Sequence, residues 1–333
     1  MSALPPGLLQ HITQAPPAHA WPAAVAHALA LCRTPIRPAH AVSEVVRRER
    51  ELGVLDNLLA GCAWDLWHDL PDCVDSTAEQ LTRWWAQQHG GKAVLLLDGL
   101  SLRELPWLLQ GAAERGYTIH TVAATASEVP GNTTPFAKAL GFATRSALQH
   151  NGAGSAHRLH GAHTESTALP WVDCAALVNA HPHWVFWHEW PDRQMHDTAG
   201  AGQGLDTLTR HTAEQLSSDA FWAFVQRLAQ GRRLVITSDH GYAATGYFAD
   251  ADERAKAVLR PTFGGKRDCP GAGDTGALLP PVMLQTTSAH GTQRQALGRW
   301  KWPSPGGYPT LAHGGLTLLE VLSPFVELSA TAD

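Results

Sequence analysis

Apolar positions along the chain follow two patterns that meet near residue 90. Before that point they recur at helical spacing. In AVSEVVRRERELGVLDNLLA, residues Val42, Val45, Val46, Leu52, Leu55 and Leu59 form a broken stripe opposite an Arg/Glu face, which predicts an amphipathic helix over 41–60. A second run, 76–88, brings Leu81, Trp84 and Trp85 to one side, with Asp75 or Ser76 placed to cap it and Gly90-Gly91 to end it. Upstream, the Pro/Ala-rich strings APPAHAWPAA and RTPIRPAH are expected to break any long helix within 1–40. Residues 1–90 thus read as a helical N-terminal region, and the pattern assigns them no function.

From Lys92 the pattern shortens. Apolar, β-branched runs at 93–97, 117–124, 184–187 and 234–237 predict strands, with helical stretches at 102–115, 134–140 and 205–230, the last as one helix or two. Strand-then-helix alternation over 91–330 predicts an α/β domain with a doubly wound, mostly parallel sheet and helices on both faces. The Gly/Pro-rich stretch 261–281 reads as a long surface loop. Val282-Met283-Leu284 and the tail 321–328 read as edge strands, and no internal repeat is evident.

Composition narrows the class. The 333 residues are 44% hydrophobic, enough for a large core. A net charge of −5 gives no electrostatic footprint for nucleic acid or an anionic membrane. Five scattered cysteines without a CxxC pair predict neither a disulfide framework nor a zinc ribbon, and a reducing cytosol is the expected location. The N-terminal string lacks the basic and apolar regions of a signal peptide, and no apolar stretch approaches bilayer-spanning length. Thirteen tryptophans are expected in the core or at an interface, while nineteen histidines draw attention to metal chemistry.

The chemistry gathers where strands should stop. In LVITSDHGY a buried run ends at Asp239 and His240, and Gly241 permits the sharp exit that two polar neighbours need to face one cleft. Asp98 closes the run VLLLDG. Thr133 and Thr134, in PGNTTP, stand between a strand and a helix, where free backbone N–H groups favour an alkoxide or a phosphate. Asp192 and His196, four apart, share a face if the segment turns once, with His188 and Asp197 as rival donors. His313 precedes a Gly-Gly turn. Singly, each fits an ordinary cap or turn; together they form a donor set of carboxylate and imidazole without thiolate, suited to zinc or manganese. Two such ions can hold both the attacking and the leaving oxygen of a phosphoryl displacement.

The order of these motifs resembles the alkaline phosphatase superfamily: strand-Asp-Gly, Pro-x-x-Thr, Asp-x-x-x-His, Asp-His-Gly, then a late His. Within it, GRWKWPSPGGYPTLAHGGLTLLEVLSPFVEL is similar to the close of the PglZ domain, with Thr317 where that pattern has Ser. The resemblance covers about residues 92–328. It implies two divalent metal ions, zinc or manganese, one among Asp98, Thr133, Asp239 and His240, the other among Asp192, His196 and His313. It implies Thr133 as nucleophile, with Thr134 as rival because Gly131 replaces a common Thr or Ser, and a phospho-threonine that is then hydrolysed. The resemblance sets no arginine position; Arg299, in LGRWKW, is the candidate for a substrate-facing cation, with a solvated arginine beside a packed Trp as the alternative. The implied role is a cytosolic phosphoesterase, phosphodiesters first, acting on nucleotides or other phosphate esters in bacterial phage-defence (BREX-like) or signalling systems beside protein partners. The rival is a catalytically silent PglZ-fold subunit that docks on such partners, with Trp64, Trp67, Trp84 and Trp85 as an available surface.

Overall fold

A computed structural model of the protein describes residues 4–200, 202–305 and 307–330. The N-terminal region is helical: α1 (Pro6–Gln14), α2 (Pro17–Cys32), α3 (Ala41–Gly61), α4 (Leu70–Cys73) and α5 (Thr77–Ala86). Ser76 caps α5 by accepting from the Glu79 N–H at 3.2 Å. One expectation fails here, since α2 runs sixteen residues straight through Pro22. Ala20, Trp21, Ala24, Ala28 and Cys32 are all buried on it, and the Trp21 indole donates to the Leu66 carbonyl at 2.8 Å. Packing of that face outweighs the roughly 3 kcal/mol that an interior proline costs.

Beyond the helical region lie eleven strands among the described residues: β1 (Lys92–Leu97), β2 (Thr118–Ala126), β3 (His163–Thr167), β4 (His183–His188), β5 (Arg233–Thr237), β6 (Ala249–Asp250), β7 (Asp268–Pro270), β8 (Met283–Ser288), β9 (Gly291–Ala296), β10 (Trp300–Lys301) and β11 (Leu322–Ser329). Six of them make the central sheet, in the order β2-β11-β5-β1-β4-β3. Its strands are parallel except β11, which runs antiparallel to both neighbours. Interleaved helices are α6 (Leu105–Glu114), α7 (Thr133–Ala139), α8 (Trp171–Leu177), α9 (Asp192–Thr198), α10 (Leu205–Ser217), α11 (Asp219–Ala229), α12 (Glu253–Phe263) and α13 (Leu318–Val321).

Alternation along the strands fills two cores. Ala93, Leu95, Leu97, Trp184, Phe186, Leu234 and Ile236 face one, shared with α2, α3, α6, α8, α10 and α11. Val94, Leu96, Val185, Trp187 and Val235 face the other, shared with α5 and α7. The sheet is therefore doubly wound. Leu95 has no exposure at all, and Leu95→Ala would cost roughly 2–5 kcal/mol. The first core also contains Leu8, Ile12, Leu52, Leu55 and Leu59, so residue 90 marks a change of secondary structure, and the apolar interior runs across it.

Three more expectations are corrected. The tail forms β11 in the middle of the sheet, paired on both sides and buried along its length. Pro324 fits there because the pairing with β5 begins only at Phe325. Strand 283–288 belongs to a separate three-stranded antiparallel sheet, β7-β9-β8. Within 261–281, α12 runs to Phe263 and β7 pairs with β9, leaving loop between and after them. β3, with the sequence HTEST, carries no apolar signal and is an edge strand. No helix is long and apolar enough to cross a membrane among the described residues.

Candidate metal centre and active site

Strands β5, β1 and β4 are adjacent and parallel, with Leu96 in register with Thr237 and Leu97 with His188. The segments leaving these strands therefore emerge along one edge of the sheet: Asp98 after β1, Asp239 and His240 after β5, and α9 with Asp192 after β4. Gly99 turns the chain at φ +73°, where a Cβ would sit 3.0 Å from that of Asp192. Gly241 is tighter still, since a Cβ there would lie 2.2 Å from the Leu319 carbonyl oxygen. The DHG loop can thus press against α13 only with glycine at that position.

The tail delivers the last ligand candidate. Ala312 bridges Ala243, and the buried Glu320 carboxylate pins the turn after His313. It accepts from Gly315 N–H at 2.8 Å, Thr317 Oγ1 at 2.8 Å and Arg267 Nε at 2.8 Å. This accounts for the His-Gly-Gly-Leu-Thr-Leu-x-Glu string, with Thr317 supplying the hydroxyl. His313 is held by the Asn132 Oδ1 at 2.8 Å and the Gly131 carbonyl at 3.2 Å, both reached from Nδ1.

Two clusters result, Asp98 with Asp239 and His240, and Asp192 with His196 and His313, each with ligand atoms within 4.8 Å of one another. The clusters touch, because the His240 and His313 rings stack at 4.3 Å. Thr133 opens α7 and places its Oγ1 3.3 Å from Asp98 Oδ1, half-buried, while Thr134 is exposed. His196 Nε2 lies 3.4 Å from Asp192 Oδ2, and His240 Nε2 lies 3.6 Å from Asp98 and 3.5 Å from Asp239.

The electrostatics are those of crowded acid. Burial, then the charges of Asp239 and Asp192, push the Asp98 carboxyl well above its usual range. Burial opposes charge on His240, yet the surrounding Asp239, Asp192 and Asp98 raise it to about 9. Asp192 is disfavoured by burial but held down at about 2 by the His196 hydrogen bond and the nearby imidazoles. His313, buried and facing His240, drops to about 3.

Divalent cations fit this set. Asp192 Oδ1, Asp239 Oδ2 and His240 Nε2 are buried without a hydrogen-bond partner, although such atoms are nearly always satisfied. His240 Nδ1 is engaged by the Gly241 carbonyl at 2.9 Å, which orients Nε2 inward as a donor of electrons.

Other candidates fall elsewhere. His188 uses both ring nitrogens, Nε2 toward the Leu169 carbonyl at 2.9 Å and Nδ1 for Trp190 N–H at 3.0 Å, so it is no ligand. Asp197 is exposed on another cavity. Arg299 does not fit the role of a substrate cation. It is 8% exposed, with Nη1 on Asp56 at 3.1 Å and Nη2 on Glu49 at 2.5 Å. It belongs to a buried brace in which Arg103 Nη2 donates to Glu49 at 2.6 Å and Nη1 to the Tyr242 carbonyl at 2.7 Å. In the same brace the Asp56 carboxylate accepts from Leu318 N–H at 2.8 Å. The cation that does reach the centre is Arg145, paired with Asp98 and, at 3.0 Å, with Glu189. Its segment, TRSALQH, comes after no strand, so nothing in the pattern singles it out.

No family model and no curated protein matches the chain. Among solved structures, it is similar to murine ectonucleotide pyrophosphatase/phosphodiesterase 5 at 12% identity, covering 73% of this chain and 88% of that one, with a TM-score of 0.46. An inactive variant of the murine protein in complex with AMP gives 11%, 72%, 88% and 0.44, and the human protein gives 12%, 73%, 88% and 0.45.

Proposed function

We propose that this chain is a metal-dependent phosphoesterase that uses Thr133 as its nucleophile. The observation that carries the reading is the convergence of three unpartnered buried donors with a hydroxyl hydrogen-bonded to Asp98. Asp98, Asp239 and His240, with Thr133, would hold one divalent cation, and Asp192, His196 and His313 the other, with zinc or manganese suited to these donors. When bound, such ions supply positive charge that makes the threonine hydroxyl acidic and offsets charge on the phosphoryl oxygens.

The residues do the rest. Thr133 Oγ1 forms a bond to phosphorus as the bond to the leaving oxygen breaks, giving a phospho-threonine and an alcohol. Water then cleaves that ester, regenerating the hydroxyl and releasing phosphate from a monoester substrate or the remaining phosphomonoester from a diester. Asp98, 3.3 Å away, orients the hydroxyl, and Arg145 fixes Asp98 from the other side. Asn132 holds the His313 ring in place. The same proposal places the chain with the PglZ type of the alkaline phosphatase superfamily, in the cytoplasm, in a defence or signalling role; the ordered motif string supports it. A complete donor set speaks against a silent docking subunit.

The test is hydrolysis of bis(p-nitrophenyl) phosphate by chelator-stripped protein with zinc or manganese restored. Metal-dependent turnover should fall by on the order of 10³-fold or more in Thr133→Ala. Full activity in that variant would move the nucleophile to Thr134 or to water.

A further inference from the structure

Above Thr133 opens a cavity of about 700 Å³, large enough for a substrate well beyond a simple phosphate ester. One wall is α7, with Thr134 and Lys138. The other is the segment 265–270 with His290 and Gln293 from the β8–β9 hairpin. Two of the chain's five lysines, Lys138 and Lys266, line this one cleft. Neither makes an ion pair with a carboxylate among the described residues, whereas Lys256 is on Glu253 at 2.9 Å and Lys92 on the Gln87 carbonyl at 2.8 Å. The single carboxylate in the lining, Asp268, accepts from Asn132 Nδ2 at 3.1 Å and feels the charge of Lys266 without pairing with it. Lys138 lies one turn beyond Thr134 on the same face of α7, and helical side chains lean toward the N-terminus, here toward Thr133.

What the lining lacks is as informative. The chain has thirteen tryptophans, eight phenylalanines and four tyrosines, yet no such ring is among the described residues lining this cavity; its rings are the imidazoles of His196 and His313, which belong to the ligand cluster, and of His290, held 3.2 Å from Glu128. A nucleobase is ordinarily held by stacking on an aromatic face, an interaction worth about 1–3 kcal/mol per base. Free ammonium groups, in contrast, bind phosphate oxygens through charge-assisted hydrogen bonds.

We infer that the substrate carries a second phosphoryl group close to the one attacked, of the pyrophosphate or bisphosphate class, and that Lys138 and Lys266 bind this second group. No base is stacked in the cleft. The inference rests on the phosphoesterase reading for the attacked group, while the lysine subsite stands on its own geometry.

Two measurements separate the two. Thermal-shift titration of metal-stripped protein should show inorganic pyrophosphate binding about tenfold more tightly than orthophosphate, the worth of one charge-assisted contact. The Lys138→Ala/Lys266→Ala double variant should erase that difference. In metal-restored protein, the kcat/KM preference for an aryl diphosphate over bis(p-nitrophenyl) phosphate should fall about tenfold in the same variant, mainly through KM. Equal affinity for the two anions, a preference indifferent to the lysines, or preference for a nucleoside diester over the aryl diphosphate would overturn the inference. Pyrophosphate discrimination with no turnover of any ester would leave the subsite standing and sink the hydrolase reading.

Discussion

Two clusters of buried charge in this molecule use similar residues and reach opposite balances. In the brace, Glu49 and Asp56 face Arg103 and Arg299, two carboxylates against two guanidiniums, and the one oxygen left over, on Asp56, takes the Leu318 N–H. In the candidate centre, Asp98, Asp192 and Asp239 share one partly exposed arginine and three imidazoles, and three ligand atoms have no hydrogen-bond partner. A closed set of charges holds helices together. A set of crowded carboxylates and imidazoles with unsatisfied ligand atoms is arranged for a positive guest.

Substitutions should therefore act with unequal size. Glu49→Gln strips the brace of the carboxylate that neutralises both arginines and should destabilise the protein by about 3–5 kcal/mol, read from urea midpoints. Asp239→Asn in metal-free protein keeps the acceptor for Gly99 N–H and removes a like charge beside Asp98 while giving up the ion pair with His240, so its midpoint should move far less. Destabilisation of similar size at both positions would dissolve the contrast. Next in size, zinc or manganese at a hundredfold excess over its dissociation constant should stabilise wild type by about 2.7 kcal/mol relative to chelator. Asp239→Asn should lose most of that gain by the same melting measurement.

A third effect concerns pH. Burial raises Asp56 to about 6 despite Arg299, and raises Glu104 to about 7 despite the Tyr242 hydrogen bond. Both acids hold a proton more tightly folded than unfolded, so their contribution is complete below about pH 4 and is lost as the pH rises through 6 to 7. Denaturation midpoints in metal-free protein should register a loss of about 3 kcal/mol per group at most. The Glu104→Gln variant should flatten its share of the slope.

Much of the site was legible because parallel strands print their ends in the sequence. A buried apolar run followed by Asp, or by Asp-His-Gly, fixes both the strand and the direction its next residues face, which is why Asp98, Asp239 and His240 could be named from the pattern. Asp192 and His196 were legible through helical spacing. Arg145 and the lysines of the cleft were not, since they come from a helix and loops whose placement depends on tertiary packing. Arg299 was misassigned for a related reason: an arginine beside tryptophan looks the same in sequence whether it faces a phosphate or two buried acids. The brace itself joins residues more than fifty positions apart and has no local signature.

The central position of β11 also bears on how the molecule assembles. β2 is bonded to the rest of the sheet through a strand made about two hundred residues later, and the same tail carries His313. Contacts so distant in sequence close late and slowly. A chain that has formed β1, β4 and β5 can already gather Asp98, Asp192 and Asp239, but its second ligand cluster waits for the C-terminal segment to thread between β2 and β5. Completion of the sheet and completion of the donor set thus depend on the same C-terminal segment.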